Sequence, residues 1–391
     1  MEKINGESTI AGKAAKRAFI YSDAWRLSHL PEGHPWRGER ARATFEMATR
    51  LGLFKDDVIL LEPEAAPEQA LLSFHKPRYL EMLRKANRGE ATEEMLRYGL
   101  GTMDCPVFPG VYDYSRLVVG GTLLGAELIE RGEAAVVFSP VGGLHHGGDA
   151  FAAGFCYLND VALAINRLLR RGRRVLYVDL DAHHGDQVQA AYWRDDRVLT
   201  ISFHESTRTL FPWKGGFETE IGEGRGKGYS VNVPLLENTT DDEFLYAFER
   251  IFPPLAGRFQ PDVVVAQLGI DSHYQDPLSH LRLTNLSHGK AVARIVEMSP
   301  RLLALGGGGY NTRATSRGWT LAWAVMLGID PDEYADGFGG MFWGDNLAAL
   351  KDRPQFVPPD LRRPAEEQAQ RVVKYIEEHV FPLQGRGVEP D

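Results

Sequence analysis

Cysteine is nearly absent: Cys105 and Cys156 are the two in 391 residues, far apart and outside any Cys-x-x-Cys pattern. A disulfide framework and a thiolate zinc site are excluded as organising features, and a reducing cytoplasm is the expected compartment. No stretch approaches the ~20 apolar residues that span a bilayer. Residues 1–16 carry no apolar core of a signal peptide, so neither secretion nor membrane contact is expected. Internal repeats and long Pro/Ser/Gly linkers are missing too. Basic charge is outnumbered, with 44 Lys+Arg against 53 Asp+Glu and a net charge of -9. That balance argues against bulk nucleic-acid binding and is compatible with cationic substrates.

What is present has globular proportions, 43% hydrophobic and 25% charged residues, enough for a sizeable core. Short apolar runs alternate with helix-period segments between tails at 1–16 and 384–391, leaving one domain at 17–383. Asn159 or Asp160 caps a helix whose apolar positions Val161, Ile165, Leu168 and Leu169 recur at helical spacing. Arg170, Arg171 and Gly172 close it, and Val175–Val178 follows as a buried strand. Strands that are apolar throughout predict an α/β fold with a mostly parallel sheet and helices on both faces.

Four of these strands run into polar, glycine-flanked segments. Ala135–Phe138 leads to His145 and His146; Val175–Val178 leads to Asp179, Asp181, His183 and Asp186. Val263–Leu268 leads to Asp271 and His273, and Leu302–Leu305 leads to Gly306–Gly309 and Tyr310. Ligand sites of open α/β sheets lie beyond the carboxyl ends of the strands, so one shared site is predicted there.

Asp179, Asp181 and His183 alternate at spacing two, which in extended backbone puts them on one face. A lone Asp-x-Asp more often caps a following helix. Here the succeeding His183, His184 and Asp186, with Asp271 as a further donor, favour a divalent metal. His145 and His146 titrate near neutrality and suit proton transfer, with Asp179 and Asp186 available to set their tautomers. The glycine run at 306–309 lacks the Lys-Ser/Thr of a phosphate loop and reads as a close approach presenting the Tyr310 hydroxyl to an oxyanion. Gly222–Gly228 reads as a flexible connection, and Trp319 and Trp323 as helix core.

These motifs, with Gly33-His-Pro35, Asp104-Cys-Pro106, Gly154–Asp160 and Gln267–Asp271, resemble the zinc-dependent histone deacetylase superfamily. That group includes bacterial acetoin-utilisation proteins, deacetylase-like proteins and acetylpolyamine amidohydrolases. The resemblance covers nearly the whole chain and implies an arginase-like single domain. It implies one zinc (iron or another divalent metal as the alternative) on Asp181, His183 and Asp271. It pairs His145 with Asp179 and His146 with Asp186, and makes Tyr310 the carbonyl-polarising residue. Phe155 and Phe211 become the walls of an acyl-lysine tunnel, with Gly154 at its base, Leu278 at its rim and Asp104 gripping substrate amides. Potassium is implied at Asp179, Asp181, His183, Ser202 and Phe203, and at a second site of Tyr192, Asp195, Val198 and Tyr229.

The expected activity is deacetylation of acetyl-lysine in a protein or peptide; the alternative is an acetylpolyamine or other small acylated amine. A two-metal ureohydrolase on the same fold needs an acid two residues after His183, where Gly185 stands. A non-catalytic acyl-lysine binder would have no need of both histidines and Tyr310. His273, two residues after Asp271, is expected to reach toward the metal or the pocket or to point to solvent, the last being favoured.

Overall fold

The structure, a computed structural model, describes residues 16–27, 30–55, 57–329 and 350–384; most of the expected tails, 1–15 and 385–391, lie outside the described residues. Gln384 is not tail-like: it is buried, and its amide donates to the Gly228 carbonyl.

Eight strands form one sheet: β1 (Arg17–Ile20), β2 (Val58–Leu61), β3 (Val136–Ser139), β4 (Val175–Asp179), β5 (Val198–Glu205), β6 (Ser230–Leu235), β7 (Val263–Gln267) and β8 (Leu302–Leu305). Their order is β2-β1-β3-β8-β7-β4-β5-β6, and every pairing is parallel. The expected mostly parallel sheet is thus wholly parallel among the described residues. The register is level at the strand ends. Ser139 pairs with Leu305, Leu305 with Gln267, Gln267 with Asp179 and Asp179 with Ser202. The four strands with polar exits, β3, β8, β7 and β4, are therefore neighbours that end in one row.

Alternate residues of each strand face opposite sides, and both sides are dry. Val136, Leu176, Val178, Val264, Ala266, Leu302 and Ala304 join one apolar cluster; Val137, Val175, Tyr177, Val263, Val265, Leu303 and Leu305 join the other. The first side is covered by α1 (Glu39–Arg50), α6 (Asp241–Phe259), α7 (Asn285–Met298), α8 (Thr312–Met326) and α9 (Pro359–His379). The second is covered by α3 (Val111–Arg131), α4 (Asp160–Arg170) and α5 (Asp186–Tyr192), while α2 (Pro77–Ala86) packs outside α3. Each large apolar side chain buried this way contributes about 1.5–3 kcal/mol against exposure. Trp319 and Trp323 are core residues of α8, as their spacing implied.

The cap of α4 is Asn159, whose side chain accepts from the Ala162 amide at 2.8 Å. Losing such a cap typically costs about 1 kcal/mol. Asp160 instead holds the loop that follows β3. The Gly222–Gly228 tract is a tight, tied turn rather than a flexible connection. A 3-10 turn spans Gly224–Gly226, and Arg194–Glu223 and Arg225–Asp196 ion pairs clasp it to the end of α5.

Candidate active site

The row of strand ends gathers the predicted metal donors at one point. One ligand atom each from Asp181, His183 and Asp271 lies within 4.8 Å of the others, and all three residues are buried. His183 Nδ1 stands 3.1 Å from Asp181 Oδ1 and 2.8 Å from Asp271 Oδ2. The remaining oxygens are tied back. Asp181 Oδ2 accepts from Gln267 Nε2 (2.6 Å) and the Gly308 amide (2.7 Å), and Asp271 Oδ1 accepts from the Ala182 amide (2.7 Å). One oxygen of each carboxylate is thus spent on orientation, and the other faces the imidazole.

This donor set fits a divalent cation on electrostatic grounds. Burial opposes charge on Asp181, but the His145 and His183 imidazoles outweigh it and hold that carboxyl well below its usual range. Burial and the Asp181 charge push Asp271 up to about 8. Two carboxylates this close share their negative charge badly until a cation joins them. Two oxygens and one nitrogen also leave coordination positions open, the pattern of catalytic rather than structural zinc sites. Backbone shape permits it: a Cβ on Gly308 would stand 2.1 Å from Asp271 Oδ2, so only glycine lets that loop approach. At Gly185 a Cβ would meet Asp179 Oδ2 at 2.5 Å, leaving no room for the acid a second metal would need.

Two His–Asp pairs stand beside the donors. His145 Nδ1 lies 2.7 Å from Asp179 Oδ2, and His146 Nδ1 lies 2.9 Å from Asp186 Oδ1. The two Nε2 atoms are 3.0 Å apart. Burial opposes charge on both rings. For His145 the opposition is overcome by Asp179 and Asp181, which carry it up to about 9. For His146 burial is reinforced by the His145 charge, which takes it down to about 4. Their surroundings thus push the two rings in opposite directions, His145 toward the imidazolium and His146 toward the neutral form.

A cavity of about 290 Å³ opens over these groups, lined by Asp104, Gly154, Phe155, Phe211, Leu278, Tyr310, His146 and His183, together with Leu210 and Trp213. All five predicted substrate contacts therefore border one space, and His146, not His145, faces it. The Phe211 ring stands edge-on to His146 at 4.9 Å, and Phe155 edge-on to Tyr310 at 5.6 Å. Burial and the Asp271 and Asp181 charges raise the Tyr310 phenol well above its ordinary value, so it stays a proton donor.

Several residues hold this geometry in roles that no local sequence pattern assigns to them. Asp160 accepts from the Gly143 (2.9 Å) and Leu144 (2.7 Å) amides and from Thr122 (2.5 Å), fixing the loop that bears both histidines. Tyr177 donates to Asp179 Oδ2 at 2.5 Å. Arg40, buried beside Trp36 and Trp319, donates to the Gly307 (3.1 Å) and Gly309 (2.7 Å) carbonyls. Asp276 accepts the Tyr310 amide at 2.6 Å. The expectation for His273 is corrected: it is buried, with Nε2 2.7 Å from Asp352 Oδ2, and Arg317 grips the other oxygen of Asp352 at 2.7 Å. Its partner lies 79 positions away, beyond reach of local pattern.

Of the potassium candidates, Asp179 and Ser202 are register partners on β4 and β5, next to Phe203. Asp181 and His183 follow on the exit of β4. Around the second set, the Asp195 amide donates to the Tyr192 carbonyl, Val198 donates to that of Asp195 and Thr200 to that of Tyr229. The Asp195 carboxylate is engaged by Arg197 at 2.6 Å.

Comparison with known proteins agrees with this architecture. A family profile described as the histone deacetylase domain matches residues 34–326. The acetoin utilization protein AcuC of Bacillus subtilis is 37% identical over 381 residues, covering 92% of this chain and 96% of that protein. Histone deacetylase 1 of Homo sapiens is 37% identical over 326 residues, covering 82% of this chain and 67% of the human protein. The crystal structure of an HDAC homolog from Aquifex aeolicus superposes with a TM-score of 0.80 at 32% identity, covering 92% of this chain and 100% of the other.

Proposed function

This chain belongs to the histone deacetylase family, and from that membership we propose that it hydrolyses the acetyl amide of acetyl-lysine, in a protein or peptide, to free amine and acetate. The catalytic unit is taken as residues 17–383. The observation that supports the reading best is the union, around one cavity, of three converging metal donors, a histidine backed by a carboxylate and a half-buried tyrosine.

Asp181, His183 and Asp271 would hold one zinc. When bound, zinc supplies Lewis-acid polarisation of the amide carbonyl and lowers the pKa of an attacking water toward ~7. The chain's residues do the rest. Phe155 and Phe211 flank a straight methylene chain and exclude water from it, with Gly154 between them and Leu278 and Asp104 at the mouth. His146, with Asp186 holding its Nδ1 proton, would turn its Nε2 from His145, 3.0 Å away, to the water, take the water proton and later return it to the leaving amine. His145, charged against Asp179, adds positive potential beside it. Tyr310 donates its phenol proton as a hydrogen bond to the oxygen on which negative charge develops. Potassium at the Asp179–Phe203 set would stiffen the exit of β4.

The test is a steady-state panel on the zinc-loaded chain, measuring acetate release from acetyl-lysine peptides, acetylpolyamines and longer acyl-lysines. Peptide kcat/KM well above the others supports the reading. Preference for acetylpolyamines replaces it with small-amine deacetylation, and hydroxamate binding without turnover of any substrate replaces it with acyl-lysine binding.

A further inference from the structure

Trp213 is an anomaly at the mouth of the cavity. It lines the cavity wall, yet 65% of its surface is exposed. Its backbone sits at φ +61°, the left-handed region where a side-chain-bearing residue costs free energy and glycine does not. No aromatic ring or guanidinium among the described residues packs on its indole. A large aromatic kept in a strained conformation, with no core to join, is the kind of outlier from which a functional role is inferred.

The surroundings define what such an indole would bind. Asp104 is exposed and lines the same cavity, so a carboxylate and an open π-face border one mouth. The net charge of -9 favours approach of cations. Lys214 follows in sequence but is exposed and free to extend into solvent. The indole is the best side chain for holding a cation over a ring face.

We infer that Trp213 is a specificity-determining residue that selects acyl-amine substrates carrying a positive charge just outside the tunnel. This rests on the deacetylase reading above. The cation's source is either a basic residue flanking acetyl-lysine or a second ammonium of an acetylated polyamine. Exposed cation–π contacts correspond to about two- to fivefold in affinity.

The test uses the zinc-loaded full chain with acetyl-lysine peptides preceded by Arg, Leu or Glu, and acetylated diamines paired with uncharged acetylated amines. The wild type should favour the cationic member of each pair by at least about twofold in kcat/KM. Trp213→Phe should keep part of that ratio, and Trp213→Leu should bring it near unity mainly through KM. A preference confined to one pair type identifies the source. A ratio unchanged in Trp213→Leu overturns the proposal, as does a ratio lost only in Asp104→Asn. Calorimetry with hydroxamates bearing cationic or neutral caps repeats the comparison without turnover. If no substrate is turned over, the deacetylase reading fails, while equal cap affinities in wild type and Trp213→Leu overturn the role of Trp213 separately.

Discussion

The Nε2 atoms of His145 and His146 face each other at 3.0 Å, each ring anchored from behind by its own carboxylate, Asp179 or Asp186. Against burial, the Asp179 and then the Asp181 charge raise His145, while burial and then the His145 charge lower His146, the ring that faces the cavity.

His146→Ala should therefore lower kcat by about 10²–10⁴-fold, with a smaller loss for His145→Ala. The acid limb of kcat/KM gives a sharper check. Activity requires neutral His146 and falls as pH drops through its pKa. Burial and then the His145 charge depress that pKa, so His145→Ala should move the limb to higher pH. A limb that stays in place contradicts the coupling.

Tyr310 and Arg40 separate chemistry from support. Tyr310→Phe should retain hydroxamate affinity and lose about 10²–10³-fold in kcat. Arg40→Leu strands the Gly307 and Gly309 carbonyls in a buried setting. With each unsatisfied polar group costing about 1–3 kcal/mol, it should lower the denaturation midpoint as well as kcat. An Arg40→Leu protein of unchanged stability would mean those bonds are not holding the Tyr310 loop.

Metal content is expected at one ion per chain, and chelation should abolish acetate release with recovery on adding zinc. Asp271→Asn should lower metal occupancy, because it removes charge from an oxygen that faces His183 Nδ1 at 2.8 Å. Two tightly held ions per chain would contradict the crowding seen at Gly185.

Stability should fall in mild acid through histidines that are not metal donors. Burial lowers His75 and His288 to about 4. Unfolded imidazoles titrate near ~6.5, so between those values the unfolded chain binds more protons than the folded one. Their contribution is complete above about 6.5 and is lost as pH falls toward 4. The thermal midpoint should decline over that window, and less steeply in His288→Asn. Equal slopes for the two proteins would exclude His288 as a source.

The start of α4 at Asn159 or Asp160, the core positions of that helix and the strands β4, β7 and β8 were legible from period and punctuation, because those signals are local; the structure chose Asn159 as the cap. Apolar runs with polar exits implied a two-sided parallel sheet with a site at its carboxyl edge. The residue types at 145–146, 179–186, 271 and 310 implied metal-assisted hydrolysis. No sequence rule could reveal that Arg40 holds the Gly307 and Gly309 carbonyls, that Asp276 seats Tyr310 or that His273 turns to Asp352. Those partners lie tens to hundreds of positions away and meet only when the chain folds.

The sequence thus placed carboxylates and an imidazole on strand exits, which made a divalent metal plausible, and the family resemblance singled out Asp181, His183 and Asp271 as its expected donors. Tertiary structure decided which oxygen of each carboxylate faces the His183 imidazole and which histidine faces the cavity. It also decided that Trp213 stands at the mouth. These are matters of direction and burial, and strand register and long-range packing set them after composition has done its part.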